Sequence, residues 1–245
     1  MITVPYARFE LVRLLRNRQF MIFAVGFPLV LYFLMAGPNR DEADFGDSGI
    51  PAPVYYMVSM VAWGTMMSML STGARIAGER SAGWNRQLRV TPLTGRAYLL
   101  TKLATGFAMA GIAMVTLYAS GVVLGVRLDG GRWVTMTALI LVGLLPFAAL
   151  GVLMGHRLSI DAVGPVMGGG VGLLAFVSGF WFPSDPGSTL DDVGRQLPSY
   201  WLVQAGHVGI GGDAWPLHGW IVLVTWTALL SLLAIRAYLG DTDRL

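Results

Sequence analysis

Six apolar stretches decide what this chain can become: about 20–37, 54–77, 98–126, 134–155, 163–182 and 217–238. A hydrocarbon core about 30 Å thick takes about 20 residues of helix to cross, and each stretch roughly meets that length. The third is long enough to tilt or to project from the membrane. Composition points the same way, with 55% hydrophobic and only 13% charged residues, well below the quarter charged that is usual for soluble domains. The expected fold is an all-α integral membrane protein with six transmembrane helices, residues 1–245 forming a single domain.

Six spans place both termini on one side, and the basic residues say which. With the N-terminus inside, only Arg40, Arg127, Arg132 and Arg195 of the 17 Lys and Arg fall outside, which is a positive-inside pattern. Acids collect in the first outer loop, at Asp41, Glu42, Asp44 and Asp47. The expectation is a multi-pass protein of the cell (cytoplasmic) membrane with cytoplasmic N- and C-termini. A net charge of +3 needs no nucleic-acid partner. Residues 1–19 are too charged to span. Val4, Ala7, Leu11, Leu14 and Leu15 recur at helical spacing while Arg8, Glu10, Arg13, Arg16 and Asn17 take other faces, as in an amphipathic interface helix. A secretory signal is the rival, but the run 20–37 exceeds a usual signal core and Ala36-Gly37-Pro38 is a poor cleavage site.

Several chemistries are excluded. The chain has no cysteine, and His156, His207 and His218 sit far apart, so no metal site is expected. Asp191 and Asp192 point about 100° apart on a helix and do not converge. No span carries an ionisable residue near its middle, which argues against an ion-coupled carrier. The chain lacks a G-x-x-x-x-G-K-[ST] phosphate loop, so it is not expected to hydrolyse ATP or to act as an enzyme. Any energy must come from another polypeptide.

The segment 78–93 is the longest charged interruption between two apolar runs. Trp84 and Leu88 share one helical face, Pro92 stops the helix at Thr91, and Thr94 stands where an N-cap would begin the next one. Here Glu79-Arg80-x-x-Gly83-x-x-x-Gln87-Leu88-x-Val90-Thr91-Pro92-Leu93, followed by Tyr98 and Lys102, resembles the loop after the second membrane helix of type-2 ATP-binding-cassette (ABC) exporter permeases. In that family the segment is a cytoplasmic coupling helix docking on a separate ATPase. The resemblance implies ATPase-coupling roles for Glu79, Arg80, Gly83, Trp84, Gln87, Leu88, Thr91 and Pro92. Trp84 and Arg86 stand where the family often has a threonine and a second acid.

The likeness recurs at the opposite side. The region 183–216 is too long for a turn and reads as two short helices separated by Pro198, dipping into the outer leaflet, with Trp181, Trp201, Trp215 and Trp220 as an aromatic belt. Ser178-Gly179-Phe180-Trp181-Phe182-Pro183 and Leu197-Pro198-Ser199-Tyr200 resemble the same family's outer re-entrant helical hairpin, which marks Phe182, Pro183, Pro198 and Tyr200.

Small residues recur at four-residue spacing, notably Gly164, Gly168 and Gly172. Such spacing lets helices approach closely, either within one bundle or, as the family implies, at a two-fold interface formed by spans one and five beside the substrate path. Pro165 and the run Gly168-Gly169-Gly170 would soften span five. Met60 and Met67 in span two suit either an adaptable apolar substrate surface or core filling. The function expected is a permease subunit exporting an amphiphilic or hydrophobic substrate, such as an antibiotic, drug or lipid. Polysaccharide or glycolipid export is one alternative, and a non-transporting sensor or accessory protein another. The partners implied are two copies of an ABC ATPase, a second permease copy as a homodimer, and membrane lipid. ATP and Mg belong to the ATPase, with no cofactor on this chain.

Overall fold

The structure is a computed structural model that describes residues 3–47, 49–83, 93–185, 187–209 and 214–242. Among these residues it is helical throughout: α1 (Thr3–Leu15), α2 (Arg18–Met21), α3 (Phe27–Ala36), α4 (Ala52–Ser81), α5 (Gly95–Val123), α6 (Gly130–Gly143), α7 (Leu145–Arg157), α8 (Ile160–Pro165), α9 (Val171–Val177), α10 (Thr189–Gly194), α11 (Pro198–Gly209) and α12 (Leu217–Thr242). A π-helical turn, Ile22–Gly26, joins α2 to α3, and another, Val166–Gly170, joins α8 to α9.

Four helices among the described residues are both long and apolar enough to cross a membrane: Gly95–Val123, Gly130–Arg157, Ile160–Val177 and Leu217–Gly240. They correspond to the third to sixth expected spans. The first expected span appears as the shorter apolar helix Ile22–Ala36. The second lies in α4, whose 30 residues reach about 45 Å but carry many polar side chains.

Those polar side chains are possible because α4 is the centre of the bundle. It packs against α5 on one side and α7 on the other, with α3 and α11 completing the enclosure. Met57, Met60, Met66 and Met69 are fully enclosed. Between them Thr65 and Ser68 donate to the carbonyls of Val61 and Gly64 at 2.7 and 2.8 Å, so these two buried hydroxyls are satisfied within their own helix. Where α4 crosses α7, glycine brings the backbones together: a Cβ on Gly151 would lie 2.7 Å from the Met69 carbonyl oxygen.

The fourth expected span bends. Leu144 keeps helical dihedrals between α6 and α7, and Pro146 in the first turn of α7 supplies no N–H, which kinks a helix without ending it. The bend divides the work: α6 packs on α11, while α7 packs on α4 and α12. The bundle therefore has two distinct ends, an α1 end and a hairpin end formed by α10 and α11.

Candidate functional site at the α1 end

Three helices meet at the α1 end, and each contributes charge. Lys102 of α5 is fully buried, and Glu10 of α1 and Glu79 of α4 are only 1% and 4% exposed. The Lys102 Nζ donates to Glu10 Oε2 at 2.7 Å and to Glu79 Oε1 at 2.5 Å. Tyr98, one turn before Lys102, donates its hydroxyl to Glu79 Oε2 at 2.6 Å. Buried carboxylates are tolerated only when paired and hydrogen-bonded in this way.

Two arginines complete the neutralisation. Arg13 Nη1 lies 3.1 Å from Glu79 Oε1 and 3.6 Å from Glu10 Oε1. Arg75 Nη1 lies 3.7 Å from Glu10 Oε2, and the guanidinium also donates to Thr72 and Thr105. The Tyr6 ring stacks on Tyr98 with centroids 6.5 Å apart. Burial, reinforced by the charges of Glu10 and Glu79, holds the Tyr6 phenol above its ordinary pKa, so it stays neutral.

Adjacent residues serve opposite walls. Glu79 turns toward α1 and α5, whereas Arg80 donates to the carbonyl oxygens of Gly155 and Leu158 at 3.0 and 3.4 Å. It thereby caps the C-terminal carbonyls of α7, where a cation is favoured. Three residues on, just past the end of α4, Gly83 has a φ of +68°, the left-handed conformation that commonly ends helices. At the far side of the loop, Thr94 accepts a hydrogen bond from Ala97 N at 3.3 Å and starts α5 as an N-cap.

The loop that begins after Gly83 is thus hung from two roots that are bonded to each other, Glu79 on one and Tyr98 with Lys102 on the other. The same bonds hold α1. A displacement of the loop has to move α4, α5 and α1 together or break a buried ion pair. Trp84, Gln87, Leu88, Thr91 and Pro92 lie outside the described residues.

Sequence reasoning missed Glu10, which it placed off the apolar face of α1. The signal was there: Glu10 lies about 40° from Leu14 around the helix, and Tyr6, Glu10 and Leu14 repeat every four residues along the side that packs on α5.

The other sequence-marked residues fall elsewhere. Gly164, Gly168 and Gly172 lie on the helix through α8 and α9, with open space where a Cβ would stand. Of the two methionines, Met60 is enclosed in the subunit core and Met67 is half-buried. At the hairpin end Pro198 is the first residue of α11, which follows α10. Tyr200 is buried there, Phe182 is exposed, and Pro183 packs beneath Gly46. Asp191 receives hydrogen bonds from Gly187 N and Ser184 and an ion pair from Arg195 at 2.8 Å. Burial pushes its carboxyl up, but these partners outweigh burial and hold it below the ordinary value.

The profile of the ABC-2 family transporter proteins matches residues 51–236 of this chain. The Bacillus subtilis (strain 168) protein named "Putative transport permease YvfS" is 28% identical over 211 residues, which cover 85% of this chain and 82% of the relative. No solved structure matches the chain.

Proposed function

The chain belongs to the ABC-2 family of transporter proteins, and on that premise we propose that it is the permease of an exporter for amphiphilic or hydrophobic molecules, driven by a separate ATPase. Membership makes it a multi-pass membrane permease subunit of an ABC transporter and implies an ATPase partner. Beyond that, the reading has six spans in the cytoplasmic membrane, with the α1 end and both termini on the cytoplasmic side. Two ATPase subunits bind ATP and Mg and press on the segment 84–92. This chain receives the push.

One observation carries the reading: the cluster Glu10–Lys102–Glu79 ties both roots of the loop to α1. A force applied between the roots reaches three helices at once, and through Arg80 it reaches α7 as well. The apolar character of the spans suits an amphiphile rather than a hydrophilic solute. For the homodimer, support comes from the helix through α8 and α9, where Gly164, Gly168 and Gly172 make no close approach within the subunit, although small residues at this spacing suit close helix pairing.

Co-purification with the cognate ATPase from mild detergent tests it, combined with ATP turnover in vesicles. Trp84→Ala is expected to shed the ATPase while the permease stays folded. Glu79→Gln is expected to keep the ATPase bound but to reduce amphiphile-stimulated turnover at least fivefold. An intact chain that retains no ATPase would overturn the coupling role. An intact complex indifferent to every amphiphile tried would overturn the substrate class.

A further inference from the structure

At the hairpin end residues 49–54 around the start of α4, the turn after α5, the first turn of α6, α11 and residues 214–216 before α12 line a cavity of about 730 Å³. Arg127, Arg132 and Arg195 line it, and no carboxylate does among the described residues. Basic residues are scarce at this end. These three and Arg40 are the only ones the span pattern assigns to it, so three of four converging on one hollow is a concentration of positive charge. Each guanidinium already has a protein partner: Arg195 pairs with Asp191 at 2.8 Å, Arg132 approaches Asp129 at 3.6 Å, and Arg127 donates to the carbonyls of Val122 and Val126. With five N–H donors apiece, they keep capacity for an oxyanion. Asp191 fixes Arg195 from behind, because it is 2% exposed and anchored by Gly187 and Ser184.

A second lining group points to an acceptor. Trp215 is 7% exposed, and its Nε1 has no hydrogen-bond partner among the described residues. Buried indole N–H groups usually find an acceptor.

An apolar groove starts at the neighbouring residue of α6. One residue beyond Arg132, Trp133 opens a groove of about 590 Å³ between α5 and α6, lined by Val115, Val122, Val134 and Leu141 among others. The two hydroxyls in that groove, those of Tyr118 and Thr137, pair with each other at 3.3 Å. Clustered arginines next in sequence to an apolar groove between two helices match an anionic headgroup with an apolar tail.

We propose that the cavity holds the phosphate headgroup of an anionic phospholipid whose acyl chain lies in the groove between α5 and α6. The site would anchor the hairpin end to its leaflet, and it stands whether or not the transporter exports an amphiphile.

Thermal unfolding of the full-length chain in detergent tests this, with added dioleoylphosphatidylglycerol, dioleoylphosphatidylcholine or inorganic phosphate. Phosphatidylglycerol is expected to raise Tm by several degrees, and the other two by less than a third of that. Arg127→Gln with Arg132→Gln should weaken the phosphatidylglycerol response at least tenfold, whereas Arg127→Lys with Arg132→Lys should keep most of it. Ala138 also lines the groove, and Ala138→Trp, which fills it, should abolish the preference for long acyl chains over dihexanoylphosphatidylglycerol. Equal shifts from both lipids would overturn the proposal, as would a glutamine pair that responds like the intact chain. A shift from inorganic phosphate matching that from lipid would show a free-anion site, and an Ala138→Trp variant unchanged in chain preference would remove the groove from it. Variants are compared only when their Tm without lipid matches the intact chain. If the glutamine pair does not fold, the single Arg127→Gln variant decides, with the same tenfold criterion reduced to threefold.

Discussion

At Lys102 a fully buried ammonium stands between two buried carboxylates, so the cost of removing it is set by what stays behind. Lys102→Met would leave Glu10 and Glu79 facing each other with only the peripheral Arg13 and Arg75 to neutralise them. Breaking a buried ion pair from one side costs about 3–5 kcal/mol, and this loss is expected in detergent-denaturant unfolding. Adding Glu10→Gln to Lys102→Met removes one of the stranded charges and should recover about 1–2 kcal/mol, the order of a charged hydrogen-bonding group left unsatisfied. Strict additivity of the two substitutions would mean that the three side chains do not act as one unit. Part of this residue-scale picture was legible in the sequence. Glu79, Tyr98 and Lys102 stood out because they belong to the loop motif that resembles the family's. Glu10 did not: its four-residue spacing from Tyr6 and Leu14 marks the packed side of α1, but the sequence of α1 alone does not say what would neutralise a buried acid there. That information resides in α5, which supplies the lysine.

Between elements, the same contrast separates what periodicity reveals from what packing decides. Helix starts with a chemical signature were readable: Thr94 and Pro198 begin α5 and α11 as their side-chain chemistry dictates. The bend at Pro146 was not read, since a proline inside an apolar run kinks a span whose hydrophobicity is uninterrupted. Nor did the sequence separate the glycines that pack within the subunit from those that do not. Gly151 sits where α7 crosses α4, with the Met69 carbonyl oxygen 2.7 Å from any added Cβ. Gly168 has nothing within 4 Å of that position. Gly151→Ala therefore requires backbone movement between two central helices and is expected to destabilise the subunit by about 1–3 kcal/mol. Gly168→Ala meets no obstacle and should leave the stability of the isolated subunit within about 1 kcal/mol of the intact chain. Denaturant midpoints of the two variants in the same detergent check the difference. A Gly151→Ala chain as stable as the intact one would mean that the α4–α7 crossing relaxes freely.

For the whole molecule, the distribution of exposed apolar surface bears on how subunits assemble. A membrane protein shows apolar residues to lipid on all sides, so exposure alone does not locate an interface; the placement of small residues adds the direction. The helix through α8 and α9 presents Gly164, Gly168 and Gly172 on open surface. The helix through α2 and α3 presents Ile22, Val30 and Leu34, 60%, 56% and 64% exposed. Both helices carry a π-helical turn beside a proline, Pro28 in one and Pro165 in the other, and such turns concentrate where helices have to adjust. The chain has no cysteine, so a single introduced thiol reports only its own position. If two copies pair through these helices, Gly168→Cys in native membranes should give a covalent dimer on mild oxidation. Val115→Cys on α5 and Val224→Cys on α12, both about two-thirds exposed, should remain monomeric. A dimer from Val224→Cys with none from Gly168→Cys would move the two-fold axis to α12, and the open glycines of α8 and α9 would then face lipid.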